Sequence, residues 1–235
     1  PITLPGMTMG PYINNALIPA PRAGMSTVFM SNESPFNTPG EGGAFRSRCD
    51  FSHMNYDDAV LFPGQPGRAH LHTYFGNTGA NFRSTSASLR SSGNSTCLGG
   101  IFNRSAYWVP SVIDARGRPL PANFPGQYSS DLEIYYKLGY QGVSNTLVEA
   151  FPPGLQLISG NASNATGPTA NSKVLYYCES QGKSSHISSI PSCAMGDTMT
   201  MLIEFPQCWN GQLTSPNGRS HMAFGDFSSG CPASH

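Results

Sequence analysis

The chain has 235 residues, of which 11% are charged, 13 basic against 13 acidic, for a formal net charge of zero; an average soluble chain carries about 25%. With Arg scattered singly there is no basic stripe for duplex nucleic acid or an anionic membrane surface, and no run approaches the roughly 18 apolar residues of a membrane-spanning helix. The 26 Gly and 20 Pro leave solubility to uncharged polar groups, chiefly Ser and Asn, and leave little room for long regular elements.

From the amino terminus, residues 1–44 carry Pro-Gly and Pro-Ala-Pro turns around one short apolar run, Ser26–Met30. They read as an extended arm laid over the domain. Pro1–Gly6 has neither a charged n-region nor an apolar h-region and is expected to be the start of a mature chain. Further runs rich in β-branched and aromatic residues follow at Ala59–Phe62, Ala69–Phe75, Tyr107–Ile113, Leu132–Leu138, Leu155–Ile158, Lys173–Cys178 and Thr198–Phe205. Each is bounded by Gly, Pro, Asn or Ser, the mark of strands between turns. In the last run Met199, Met201 and Ile203 alternate with Thr200, Leu202 and Glu204, as in a strand with one face on a core. No stretch of twelve or so residues keeps helical apolar spacing without a Gly or Pro in it. The expectation is an all-β, single-domain sandwich or jelly roll with long loops, spanning 45–235. Asn161–Asn171, all small and polar residues, is expected to be an exposed loop.

Six cysteines, Cys49, Cys97, Cys178, Cys193, Cys208 and Cys231, contain no C-x-x-C pair and no zinc-knuckle spacing. They read as three disulfides. Of the 15 connectivities that six cysteines allow, sequential pairing gives the least entangled chain and is the one expected. Five N-x-S/T matches, at Asn32, Asn94, Asn103, Asn161 and Asn164, agree with a secretory route. Few charges, many Ser and Asn, and paired cysteines together describe an extracellular protein, expected to be monomeric.

The segment His53–Asn77 concentrates side chains able to do chemistry: His53, His70, His72 and the adjacent carboxylates Asp57 and Asp58. In extended backbone His70 and His72 share a face, so both imidazoles can reach one object. Gly64 followed by His70-Leu-His72 matches the opening of a cupin metal motif, but Gly76 or Asn77 stands where its Glu belongs. Asp57 and Asp58 diverge to opposite faces if extended, so at most one is expected to act on a given bond. A glycosidase needs a second carboxyl about 5–9 Å away, for which Asp131, Glu133 and Asp226 are candidates. Ser or Cys nucleophiles have no support, because Gly-x-Ser-x-Gly is absent and every Cys is committed to a bridge. The aromatic residues, Tyr107 and Trp108 among them, suit sugar faces as well as cores.

Taken together, Asp57-Asp58-Ala-Val-Leu-Phe-Pro63-Gly-Gln-Pro-Gly67-Arg-Ala-His70-Leu-His72-Thr-Tyr-Phe-Gly76-Asn77, Ser95-Thr-Cys97, Ser105-Ala-Tyr-Trp108-Val-Pro110, Phe151-Pro-Pro-Gly154, Phe205-Pro-Gln-Cys208-Trp209-Asn-Gly211 and Ser220-His221-Met-Ala223 resemble the DUF1996 family. This is a group of secreted fungal and bacterial proteins whose name records an undetermined function. The resemblance covers residues 45–235 and implies that His70, His72, Asn77, Trp108 and His221 are motif positions. Ala59 stands where the family usually has Pro. Members are often fused to carbohydrate-binding or WSC modules, which points by association to polysaccharide. The leading expectation is therefore a secreted glycoside hydrolase. Asp57 or Asp58 would do acid/base work with His72 orienting the carboxylate, His70, Asn77 and His221 would bind sugar hydroxyls, and Tyr107 and Trp108 would stack. No cofactor is expected. The alternatives are a non-catalytic carbohydrate-binding or wall-associated protein using the same groove, and a metal enzyme built on His70 and His72.

Overall fold

A computed structural model describes residues 12–26, 44–122, 132–139, 142–161 and 173–235. Most of the expected strand Ser26–Met30, the expected loop 161–171 beyond Asn161, and the candidate carboxylate Asp131 lie outside the described residues. The fold is all-β, as the sequence indicates: small antiparallel sheets with one short α-helix among the described residues, and no helix long and apolar enough to cross a membrane. The chain divides into two compact units, residues 1–35 with 45–136, and residues 36–44 with 137–235.

In the first unit, β2 (Phe51–Asn55), β3 (His72–Gly76) and β4 (Ala106–Pro110) form an antiparallel sheet with β3 in the centre and buried along its whole length. The register shifts between Phe51 and His53: Phe51 lies opposite Phe75, and His53 lies opposite Tyr74. This bulge separates two residues that regular alternation would place on one face. Phe75, with the Cys49–Cys97 disulfide, anchors a core joined by Tyr107, Val109, Leu132 and Ile134. His53, His72, Tyr74 and Trp108 occupy the other face of the sheet. β1 (Ala44–Cys49) pairs with β7 (Leu132–Lys137), where Glu133 takes ion pairs from Arg46 and Arg48. A small hairpin joins β5 (Val112–Ile113) to β6 (Pro119–Leu120). The described part of the arm, 12–26, is tied down by backbone bonds from Asn14 to Gly117, Arg22 to Ser52 and Met25 to Ser95.

Ala59–Phe62, expected to be a strand, is a turn. Asp58 Oδ1 accepts from the backbone N–H of both Val60 and Leu61, and the Asp58 carbonyl accepts from Phe62 N–H. An Asp side chain bonding the following backbone competes with ladder formation and wins here. The segment then closes on itself through Ala69 N–H to the Tyr56 carbonyl. Leu155–Ile158 also forms no strand, and Tyr107–Ile113 is split between β4 and β5. The helix α1 (Ser86–Ser91) is short and starts in a reciprocal capping box between Thr85 and Ser88.

In the second unit, β8 (Val174–Cys178) pairs with β9 (Met199–Ile203) over five residues, and β10 (Cys208–Trp209) pairs with β11 (Met222–Ala223). The cysteines pair sequentially as expected: Cys49–Cys97, Cys178–Cys193 and Cys208–Cys231. Every residue of β9 is only half-buried. Among the described residues of this unit the fully buried hydrophobic positions are Cys178 and Cys208, one from each of its disulfides. Covalent staples stand where a larger domain would place aliphatic side chains. Replacing Cys208 and Cys231 together by Ser should therefore destabilise this unit by about 2–4 kcal/mol. Urea unfolding with limited proteolysis checks it, and the first cuts are expected within 137–235.

Candidate functional site

The Asp57-Asp58 dipeptide sits over the non-core face of the three-stranded sheet. Its hydrogen bonds follow from where β2 and β3 place their polar residues. The Asp57 carbonyl accepts from His72 Nδ1 at 2.8 Å and from the Tyr74 hydroxyl at 2.6 Å. Because a carbonyl only accepts, His72 carries its proton on Nδ1, and Nε2 holds the lone pair of the neutral ring. Asp57 N–H in turn donates to Asn55 Oδ1 at 3.1 Å. The Asp57 carboxylate holds two loops, accepting from Gly67 N–H at 3.0 Å and Phe82 N–H at 3.3 Å. The Asp58 carboxylate starts the turn described above with one oxygen and accepts from Trp108 Nε1 at 3.3 Å with the other.

Across the strands the rings of His53, Tyr74 and Trp108 stack in that order, at centroid distances of 4.7 and 5.5 Å. His53 is locked by both nitrogens: Nε2 donates to the Ala80 carbonyl and Nδ1 accepts from the Ser52 hydroxyl, each at 2.8 Å. Trp108 ends the stack on the outer strand and is half-buried. His70 lies two residues before β3 and is exposed, its ring centroid 4.4 Å from that of His72 in an edge-on arrangement.

Burial sets the ionisation of this face. Loss of solvent is the largest effect on His72 and lowers its pKa, outweighing the favourable bond to the Asp57 carbonyl; the neighbouring His70 adds to the lowering, while Asp58 and Asp57 oppose it. His53 is lowered for the same first reason, against its bond to the Ala80 carbonyl. Burial, followed by the Asp58 and Asp57 charges, pushes the Tyr74 hydroxyl far up, so it stays a neutral donor.

Of the residues selected from the sequence, the fold brings together Asp57, Asp58, His70, His72 and Trp108. Tyr107 is not with them, because adjacent strand residues face opposite ways: it packs on the core, and its hydroxyl meets that of Tyr136 at 3.1 Å. Asn77 is fully buried. Its amide donates to the carbonyls of Leu89 and Ser92 at the end of α1 and accepts from Gly79 N–H. Gly93 has φ +79, and a Cβ there would stand 2.3 Å from Asn77 Oδ1, so this corner admits no side chain. His221 belongs to the second unit and is fully buried, with Nε2 on the Gln156 carbonyl and Nδ1 on the Ser215 hydroxyl. Neither Asn77 nor His221 offers an atom to a ligand in this state. Glu133 is taken up by arginines in the β1–β7 sheet, and Asp226 accepts from Ser228 and Ser229 in its own turn. Sequence reasoning did not give His53 or Tyr74 a role in this face. Their period-two placement opposite one another becomes visible only with the bulge at Ser52.

Residues 58–235 match the family model described as domain of unknown function (DUF1996). The chain belongs to the DUF1996 family. No curated protein and no solved structure matches it. The match opens at Asp58 and takes in His70, His72 and Trp108, while His53 and Asp57 precede it. The DUF1996 region therefore contributes His70, His72, Tyr74 and the indole of this face, and the strand before it contributes the third imidazole, His53, at the opposite end of the stack.

The lowered histidines predict a stability profile. Each is neutral in the fold and takes up a proton near pH 6.5 when unfolded, so their contribution is fully present above about pH 6.5 and is lost as pH falls towards the lowered folded values. The urea midpoint should hold steady down to about that pH and then drop. His53→Gln should flatten part of the drop, and equal midpoints for the native protein at pH 7.5 and 5 would contradict the scheme.

Proposed function

We propose that this is an exported glycan-binding protein whose ligand rim is formed by Trp108, His70 and His72. The observation that carries the reading is Trp108. Its indole is half-buried, backed on one side by Tyr74 and fixed in orientation by its Nε1 bond to Asp58. A ring supported on one face by another ring and held in orientation is a platform on whose other face a sugar ring can stack. His70 and His72 stand beside it through the same dipeptide and supply polar groups for hydroxyls. Export is supported by three disulfides with no free cysteine.

Hydrolysis by paired carboxylates has less behind it. All four oxygens of Asp57 and Asp58 accept N–H groups of this chain, and both residues are nearly buried. An acid and a base of a glycosidase need a face turned to the scissile bond. The specific feature that keeps a hydrolytic reading alive is Asp58 Oδ2, held only through one 3.3 Å bond from Trp108.

Co-sedimentation with a panel of insoluble polysaccharides, assayed in parallel for new reducing ends, separates the readings. Binding without release of ends is expected. Trp108→Ala should weaken it by about tenfold, the loss of one supported ring stack. Release of ends abolished by Asp58→Asn would replace binding with hydrolysis, and retention by no polysaccharide would remove both.

A further inference from the structure

Three histidines of this protein are buried or nearly so among the described residues, and two of them have both ring nitrogens engaged: His53 by Ser52 and Ala80, His221 by Ser215 and Gln156. His72 is different. Its Nδ1 is bound to the Asp57 carbonyl, but Nε2 has no partner among the described residues. Every side-chain nitrogen or oxygen without exposed area there does have one, so Nε2 keeps a small exposed area although the residue as a whole is only 4% exposed. The group beside it is the exposed imidazole of His70, which also makes no hydrogen bond among the described residues.

From this we infer that His70 and His72 form a two-imidazole site for a borderline divalent cation, Zn2+ or Cu2+. A histidine that ligates through one nitrogen typically donates the other N–H to a carbonyl or carboxylate, which fixes the tautomer and raises ligand basicity. The Asp57 carbonyl does this for His72 in the absence of any ion. With metal–nitrogen bonds of about 2.0–2.1 Å, two imidazoles on one ion put their centroids roughly 4.5–5 Å apart; here they are 4.4 Å apart.

The donor set also selects the ion. Hard cations such as Ca2+ and Mg2+ require several oxygens, and the carboxylate oxygens at this face are already accepting backbone and indole N–H groups. Neutral imidazole suits Zn2+ and Cu2+, with Cu2+ the tighter. Among the described residues the one cluster of three His, Cys, Asp or Glu ligand atoms is Cys178, Cys193 and Asp197, whose sulfurs are spent in a disulfide. Two protein ligands therefore leave the remaining positions to water or to another small oxygen ligand.

The site shares its rim with the glycan reading but does not rest on it. The test contains no sugar, so its failure leaves that reading standing. The full chain, stripped with chelator and dialysed, is titrated with ZnCl2 and with CuCl2 by calorimetry, and the copper form is examined by electron paramagnetic resonance. One ion per chain is expected, Cu2+ tighter than Zn2+, with nitrogen hyperfine structure from two imidazoles. His70→Ala removes an exposed side chain, so the fold should be retained by circular dichroism while affinity falls by about tenfold or more. His186→Ala, at an exposed histidine elsewhere, should bind as the native chain does. Absence of binding, or binding that His70→Ala leaves unchanged, overturns the proposal.

Discussion

On the non-core face of the three-stranded sheet a carbonyl oxygen, that of Asp57, accepts from the imidazole of His72 and the hydroxyl of Tyr74 together. A buried donor left without an acceptor costs about 1–3 kcal/mol, and here two donors from one strand depend on the same atom. The position of that atom is fixed from three directions: Asn55 holds the Asp57 N–H, and the carboxylate is pulled towards Gly67 and towards Phe82. Asp57 is thus a junction between β2, the following loop and the loop before α1. The tautomer of His72 follows from it, and the adjoining Asp58 carboxylate seats Trp108.

The same junction explains how much of this face was legible in the sequence. Alternation correctly set His72 opposite in sense to Thr73 and brought His70 to the same side, because side-chain direction in extended backbone depends only on parity. The same rule was not applied to Tyr107 and Trp108, both expected to stack on one ligand; as adjacent strand residues they face opposite ways, and Tyr107 packs on the core. What parity could not reveal is the destination of polar side chains that bond backbone. Asp57, Asp58 and Asn77 have the chemistry of ligands and catalysts, yet each satisfies N–H or carbonyl groups of irregular segments that no ladder serves. In a chain so rich in Gly and Pro much backbone lies outside strands, and buried side chains must satisfy it. A sequence motif dense in Asp and Asn therefore marks buried loop anchors as readily as reactive groups.

Strand prediction failed where a local bond outcompeted β propensity. Ala59–Phe62 has the composition of a strand, but Asp58 stands immediately before it and bonds its first two amides. Conversely, β1 and β2 contain Arg, Ser, His and Asn, carry no apolar alternation, and are strands because of their partners: β1 through ion pairs with Glu133, and β2 through the buried central strand β3. The disulfide pattern was readable because sequential pairing demands the fewest chain crossings. Its consequence, a second unit whose fully buried hydrophobic positions among the described residues are half-cystines, was not, since the half-burial of β9 is a property of tertiary packing and not of its own alternation.

Carboxylates and imidazoles diverge in what they have left to give at this face. An ionised carboxylate has about four lone-pair sites and attracts every nearby N–H; a neutral imidazole has one donor and one acceptor, pointing in opposite directions. When folding uses the donor of His72 on a carbonyl, the acceptor must point away from the junction. The carboxylates are consumed by the fold because they can satisfy several amides together, whereas the imidazole cannot bind the junction without presenting its other nitrogen elsewhere. The residue whose carboxylate is taken up by Gly67 and Phe82 also holds the donor of His72 with its carbonyl and leaves Nε2 without a protein partner among the described residues. The chemical potential of the face therefore lies with the nitrogen ligands and the indole and not with the acids.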